Sequence, residues 1–234
     1  QSIAVADLIQ LEPGPSHHLA SVLRMKAGQP VILFNGLGGE YRGELVEVRK
    51  GFVSVQINAL DTIDRESPLY IHLAIGLSRG ERMDWIVQKA TELGVVQITP
   101  LFTQRCEVKL SAERLAKKTR HWQQVAISAC EQCQRTKLPI INPVSPLPQW
   151  LPNCTEGLKL VMHHRADIGL QNLRQKKRSV CLLIGPEGGL SDQEIEGATH
   201  RGFQALAMGP RVLRTETAPV AAISILQALW GDLQ

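Results

Sequence analysis

Two different rhythms of apolar and polar residues divide this chain. Across residues 30–60 apolar and polar positions alternate, in Val-Ile-Leu-Phe-Asn-Gly, then Tyr-Arg-Gly-Glu-Leu-Val-Glu-Val, then Phe-Val-Ser-Val-Gln-Ile. A period of two puts every second side chain on one face, as strands with one buried and one wet side require. Asn35-Gly36 and Lys50-Gly51 supply the turns between them. The pattern predicts a small antiparallel barrel or sheet with a helical stretch over 17–25 packed on it. Residues 61–68 are polar and end in proline, which reads as a linker. From Leu69 onward short apolar runs alternate with helical patterns: strand 69–76, helix 81–93, strand 96–101, helix 112–133, strand 158–163. That alternation predicts an α/β domain built on a parallel sheet. The expected domains are 1–66 and 67–234.

The C-terminal region holds two further strands, each running into a glycine loop and a helix. Residues 180–184 are continuously apolar, as in a strand covered on both faces. They lead into GPEGGLS at 185–191, whose glycines allow close approaches and backbone angles that a side chain would block. Ser191 is placed to cap a helix, with Glu194 completing a capping box and Asp192 suiting the positive helix end. Strand 205–208 repeats the plan. Gly209-Pro210 turns the chain, and Thr217 stands as the cap of a helix with Pro219 in its first turn. Either loop alone could be an ordinary strand-to-helix turn. Together they predict a ligand cradled by backbone at the ends of neighbouring strands. No G-x-G-x-x-G is present, and no lysine follows the first loop as in a nucleotide-phosphate cradle.

Composition narrows the picture less than pattern does. Apolar residues make up 44% of 234, enough for a core, and no long apolar run suggests a membrane span. A net charge of +4 permits nucleic-acid binding without announcing it. Charge is concentrated in Arg114, Lys117, Lys118, Arg120 and His121 on the helix over 112–133, and in Arg174, Lys176, Lys177 and Arg178 before a strand. Each cluster taken singly suits a solvated surface. Five cysteines with no secretory leader fit reduced thiols of the cytoplasm. Cys130 and Cys133 fall in a helical pattern with Leu115, Trp122, Val125 and Ala129, so core packing is expected of them. No second pair completes a zinc site, and no metal is expected.

The pair of loops, GPEGGLS at 185–191 and MGPRVLRTETA at 208–218, closely resembles the RsmE family, the bacterial 16S rRNA (uracil-1498-N(3))-methyltransferases of the SPOUT class. The resemblance runs upstream through SRGERMDWIVQKATELGV at 78–95, ITPLFTQRCEVKL at 98–110 and ACEQCQR at 129–135, and covers most of the chain from about Ser16. Family members usually carry glycine where Gln134 stands, and they generally begin with an additional basic strand, so residues are expected to precede Gln1. The resemblance implies a PUA-like RNA-binding β-barrel followed by a SPOUT domain whose C-terminal end forms a trefoil knot. Topology rules alone would bet against a knot. It also implies a homodimer, which helix 219–230 supports, being apolar almost all round with only Ser224 and Gln227 polar.

The implied chemistry moves a methyl group from S-adenosyl-L-methionine to the imide nitrogen of one uridine in the 16S rRNA of the small ribosomal subunit. By position the cofactor would lie among Met162, His163, Gly185, Glu187, Gly188, Gly189, Met208, Gly209 and Leu213. The imide proton must leave, so a base, or a cation that stabilises the developing anion, is needed. Glu216 and Glu131 are candidate bases; Arg214, Arg211 and Arg105 are candidate cations, with Arg214 and Glu216 the strongest pair. Each could instead be a structural ion pair. Arg114, Lys117, Lys118 and Arg120 become phosphate contacts under this reading, and Arg82 serves phosphate or a partner carboxylate. The rival functions are a ribose 2′-O-methyltransferase of the same fold and a non-catalytic RNA-binding module.

Overall fold

The computed structural model describes residues 3–108, 110–155, 157–166, 169, 173 and 175–233. The chain forms two compact units: Gln1–Arg65 with Gln134–Lys137, and the remainder. In the first, β1 (Leu8–Gln10), β2 (Pro30–Leu33), β3 (Glu40–Arg49) and β4 (Phe52–Asp61) make an antiparallel sheet in the order β1-β4-β3-β2. The alternation read from sequence is realised in β3 and β4, which turn inward Tyr41, Leu45, Val53, Val55 and Ile57. Lys50-Gly51 makes the tight hairpin, whereas Asn35-Gly36 lies in a longer loop between β2 and β3. The helical stretch begins earlier than expected. Pro13 and Pro15 start α1 (Pro13–His17), where a missing N–H costs nothing, and a π-helical turn over His18–Val22 follows. Ser16, buried, donates its hydroxyl to the Leu11 carbonyl at 3.0 Å and ties this stretch to β1.

The second unit is a parallel sheet of β5 (Tyr70–Gly76), β6 (Gln97–Phe102), β7 (Ile140–Ile141), β8 (Ser145–Pro146), β9 (Leu158–Met162), β10 (Ser179–Ile184) and β11 (Phe203–Leu206). The order is β11-β9-β10-β5-β6-β7, with β8 also on β6. Side-chain alternation sorts the two faces. Ile71, Leu73 and Ile75 of β5 pack with α2 (Arg82–Glu92), α3 (Ala112–Cys133) and α6 (Thr217–Trp230). Ala74, Leu101, Cys181 and Leu183 pack with α4 (Leu147–Trp150) and α5 (Asp192–His200). Both faces are covered, which is why these strands read as unbroken apolar runs. Cys130 packs in the core and Cys133 is half-buried, both outside any disulfide. The order is not sequential throughout: β10 enters between β9 and β5, and β11 then crosses to the far side of β9.

Just after α3, Gln134 takes φ 63°. This is the left-handed conformation that ends many helices, and glycine adopts it without strain. Gln134→Gly is therefore expected to raise stability by about 0.5–1 kcal/mol, the relief of strain exceeding glycine's larger unfolded-state entropy. A urea titration that finds the variant equal to or weaker than the parent refutes this.

Candidate functional site

Parallel strands put their carboxyl ends at one edge of a sheet, and the order β11-β9-β10 gathers three of them. In register, Met162 of β9 lies beside Leu206 of β11, and Val161 beside Leu183 of β10. The loops that leave these strands, at 162–165, 185–190 and 208–216, surround a cavity of about 650 Å³. Met162, Ile184, Leu206, Met208 and Leu213 give it apolar walls, and Arg82, Arg105, Arg165, Arg211 and Arg214 stand around it. Pockets of this size and mixed lining suit a ligand of cofactor dimensions.

The first loop is held from several directions. Gly189, at φ 70°, closes a turn in which its N–H donates to the Pro186 carbonyl at 2.8 Å. Ser191 caps α5 as the sequence indicated, with the reciprocal Glu194 bond completing the box. Glu194 is almost wholly buried (6% exposed), and its other carboxylate oxygen is satisfied by the Gln104 N–H at 2.8 Å. The guanidinium of Arg105 donates to the carbonyls of Gly188 and Leu190 at 3.1 and 3.2 Å. Arg105, a candidate catalytic cation or structural pair by sequence, is thus engaged with the loop backbone.

Glu187 is anchored from the opposite side, by Arg79 in the turn after β5 and by Arg82, the first residue of α2. Its Oε1 accepts the Arg79 N–H at 3.0 Å and Arg82 Nη1–H at 2.6 Å. Burial raises the Glu187 carboxyl, but the N–H groups of Arg79 and of Glu187 itself and the Arg82 guanidinium outweigh it and hold the group below the ordinary value. Arg82 Nε also lies 3.7 Å from Glu216 Oε2.

The second loop ends differently from the expectation. Thr217 is the first residue of α6 rather than its cap; Glu216 occupies the cap position, with no side-chain cap bond. The Thr217 and Ala218 N–H groups instead donate to the Arg214 carbonyl, both at 2.9 Å, so a backbone turn satisfies them. That leaves the Glu216 carboxylate to face the cavity. In the third loop, His163 lines the same cavity. Burial pushes its pKa below the ordinary 6.5, His164 and Arg165 push it further, and Asp192 opposes them.

A family model described as an RNA methyltransferase domain matches residues 65–227, and one described as an RNA methyltransferase PUA domain matches residues 16–58. The ribosomal RNA small subunit methyltransferase E of Buchnera aphidicola (subsp. Schizaphis graminum) is 39% identical, over 99% of this chain and 94% of its own. This chain belongs to the ribosomal RNA small subunit methyltransferase E family. The family member from Bacillus subtilis is 32% identical, over 99% of this chain and 96% of its own. The Neisseria gonorrhoeae member, solved bound to S-adenosyl methionine, superposes with a TM-score of 0.95 at 38% identity, covering 100% of this chain and 97% of that one. A Legionella pneumophila methyltransferase solved with bound SAM gives 0.96 at 43%, covering 100% and 96%.

Against this family background, the cavity brings together every residue expected around a cofactor: Met162, His163, Gly185, Glu187, Gly188, Gly189, Met208, Gly209 and Leu213. Arg214, Glu216 and Arg105 line it too. Glu131 does not; it sits exposed on the last turns of α3. Arg114, Lys117 and Arg120 are exposed and Lys118 half-buried on the first turns of α3, away from that lining. His121, which continues their face, bonds Asp84 of α2 at 2.7 Å. Of the second basic cluster, Lys176 and Arg178 are exposed and Lys177 half-buried, while Arg174 lies outside the described residues. Sequence reasoning missed Arg79, Arg165 and Gln104. Arg79 and Gln104 act through backbone N–H groups, which carry no residue-type signal.

Proposed function

We propose that this protein transfers a methyl group from S-adenosyl-L-methionine to the imide nitrogen of uridine 1498 in 16S rRNA of the small ribosomal subunit, in the bacterial cytoplasm. The observation that carries this reading is the cavity of about 650 Å³ at the ends of three adjacent parallel strands, with the Gly185 and Gly209 loops facing each other across it. The residues present fit the cofactor. Apolar Met162, Ile184, Leu206, Met208 and Leu213 suit an adenine face, and exposed loop backbone suits its polar edge. When bound, the cofactor supplies a methyl group already activated on a sulfonium.

The rest is the work of this chain's side chains. Glu216 accepts the imide proton, and Arg214 stabilises the charge that then spreads onto the ring oxygens. Arg105 keeps the carbonyls of Gly188 and Leu190 in place. The lowered pKa keeps His163 neutral at physiological pH, which limits the positive charge the cavity would present to a cationic cofactor. Cofactor affinity should accordingly stay flat from pH 8 toward 6.5 and decline only below it, because the lowered pKa delays protonation. His163→Asn should abolish that decline; a decline that persists in the variant assigns it to another group.

The target base must be unpaired or flipped out, since the imide nitrogen lies on its pairing edge. Arg114, Lys117, Lys118 and Arg120 supply phosphate contacts, and the PUA-like unit adds RNA surface. Two finer features belong to the same reading. The crossing order of β9, β10 and β11, with α6 returning to pack near α2, supports a trefoil knot. Ile225 and Leu229 stay 38% and 44% exposed on the outer face of α6, and that bare apolar strip supports a homodimer. Among the described residues no helix is long and apolar enough to cross a membrane.

The test is methyl transfer from labelled S-adenosylmethionine to small subunits lacking the modification, followed by primer extension. A methyl on the pairing edge halts the transcriptase, so a single new stop at the target uridine is expected. Incorporation without a stop means a ribose methyltransferase. No incorporation and no cofactor binding leaves the RNA-binding module.

A further inference from the structure

Arg82, at the cavity, reaches carboxylates from two different loops. Its Nη1 is 2.6 Å from Glu187 in the loop after β10, and its Nε is 3.7 Å from Glu216 in the loop after β11. The same short segment reaches further still. The Arg79 N–H donates to Glu187 at 3.0 Å, and the Arg79 guanidinium pairs with Glu107, after β6, at 2.6 Å. Three of the loops at the carboxyl edge of the sheet are therefore paired with the turn after β5 or with the first residue of α2.

We infer that Arg82 is a positioning residue that clasps the two halves of the cofactor cavity and sets the carboxylate of Glu216, rather than a contact to RNA phosphate. The inference deepens the proposed function and rests on it. Two carboxylates facing one mouth repel each other, and a guanidinium lying between them converts that repulsion into a fixed spacing. Arginine is the residue suited to this. Its planar fork presents separate nitrogens in a rigid array, so Nη1 and Nε can serve two partners at once, whereas a lysine ammonium is a single point charge. Arg82 and Glu187 keep 43% and 33% of their side chains exposed. Exposed pairs add little to global stability. Their effect lies in where the loops stand, and near-attack geometry is sensitive to such placement. An arginine committed to Glu187 at 2.6 Å would also have to give up a charge-assisted bond before taking a phosphate.

Four measurements on the full-length protein test this: calorimetric binding of S-adenosylmethionine, RNA affinity against salt concentration, the split between kcat and KM, and thermal melting. Arg82→Gln is expected to weaken cofactor binding about tenfold and lower kcat, with Arg82→Lys recovering only part of either. Melting should be nearly unchanged. RNA KM should hold, and so should the slope of log affinity against log salt. Lys117→Gln, on α3, serves as the contrast: its slope should shrink by about 0.7–0.9, the loss of one phosphate contact. The Arg82→Gln and Glu187→Gln effects on cofactor binding should be non-additive, because each removes the same bond. If Arg82→Gln leaves cofactor binding intact and shrinks the salt slope by that amount, Arg82 is a phosphate contact and the clasp is wrong. Additive effects in the double variant also overturn it. Failure of the parent protein to bind S-adenosylmethionine sinks the functional reading itself, and the clasp with it.

Discussion

Glu216→Gln is expected to slow methyl transfer about a hundred- to ten-thousandfold, the usual contribution of a positioned general base. Cofactor affinity should fall far less than the rate, because glutamine keeps the shape of the side chain and the 3.7 Å contact with Arg82 is the weaker of that arginine's two. The backbone that carries Glu216 is fixed independently: Thr217 and Ala218 both donate to the Arg214 carbonyl, so the turn does not depend on the carboxylate. The pH profile separates a base from a merely structural acid. As pH rises toward the imide's own ionisation, the reactive anion forms unaided, and the gap between variant and parent should narrow. Arg214→Gln should show a loss that does not narrow in this way, since its charge is needed after the proton has gone. A Glu216→Gln enzyme with parental kcat at neutral pH would mean that another group takes the proton.

Much of this site could be read from local pattern. The capping box at Ser191 and Glu194, the glycine turn at 185–189 and the apolar run of β10 all depend on neighbours in sequence, and all formed as expected. Boundaries slipped where a single residue decides them. β11 runs over Phe203–Leu206, two residues earlier than the 205–208 read from sequence, and α6 starts at Thr217 because a backbone turn replaces the side-chain cap. What stayed hidden was long-range. No local signal says that β10 enters between β9 and β5, because each of these parallel strands is covered on both faces and reads alike. The partner of Glu187 lies 105 residues away, and charge alone could not choose Arg82 over the other arginines. Glu131 stands apart from these residues. It belongs to a family-like motif, yet its exposed position on the last turns of α3 keeps it out of the cavity lining.

Gly185→Ala should weaken cofactor binding about ten- to a hundredfold, the equivalent of 1–3 kcal/mol of overpacking placed directly in the binding loop. A Cβ at this position would stand 2.7 Å from the Leu190 nitrogen and 2.8 Å from the Gly189 carbonyl carbon. Both are backbone atoms, so no side chain can rotate away and the turn itself must open. The turn cannot open freely, because Arg105 grips the carbonyls on either side of Gly189 and Glu194 ties the following helix to Gln104. Strain therefore passes into the cavity wall. Gly197, within α5, is the matched control: a Cβ there would meet nothing within 4 Å. Gly197→Ala should bind cofactor normally and gain about 0.5–1 kcal/mol of stability from helix propensity. Calorimetric titration of both variants, with melting curves to show that each is folded, decides the matter. Normal cofactor affinity in a folded Gly185→Ala protein would show that the close approach at this loop is incidental to binding.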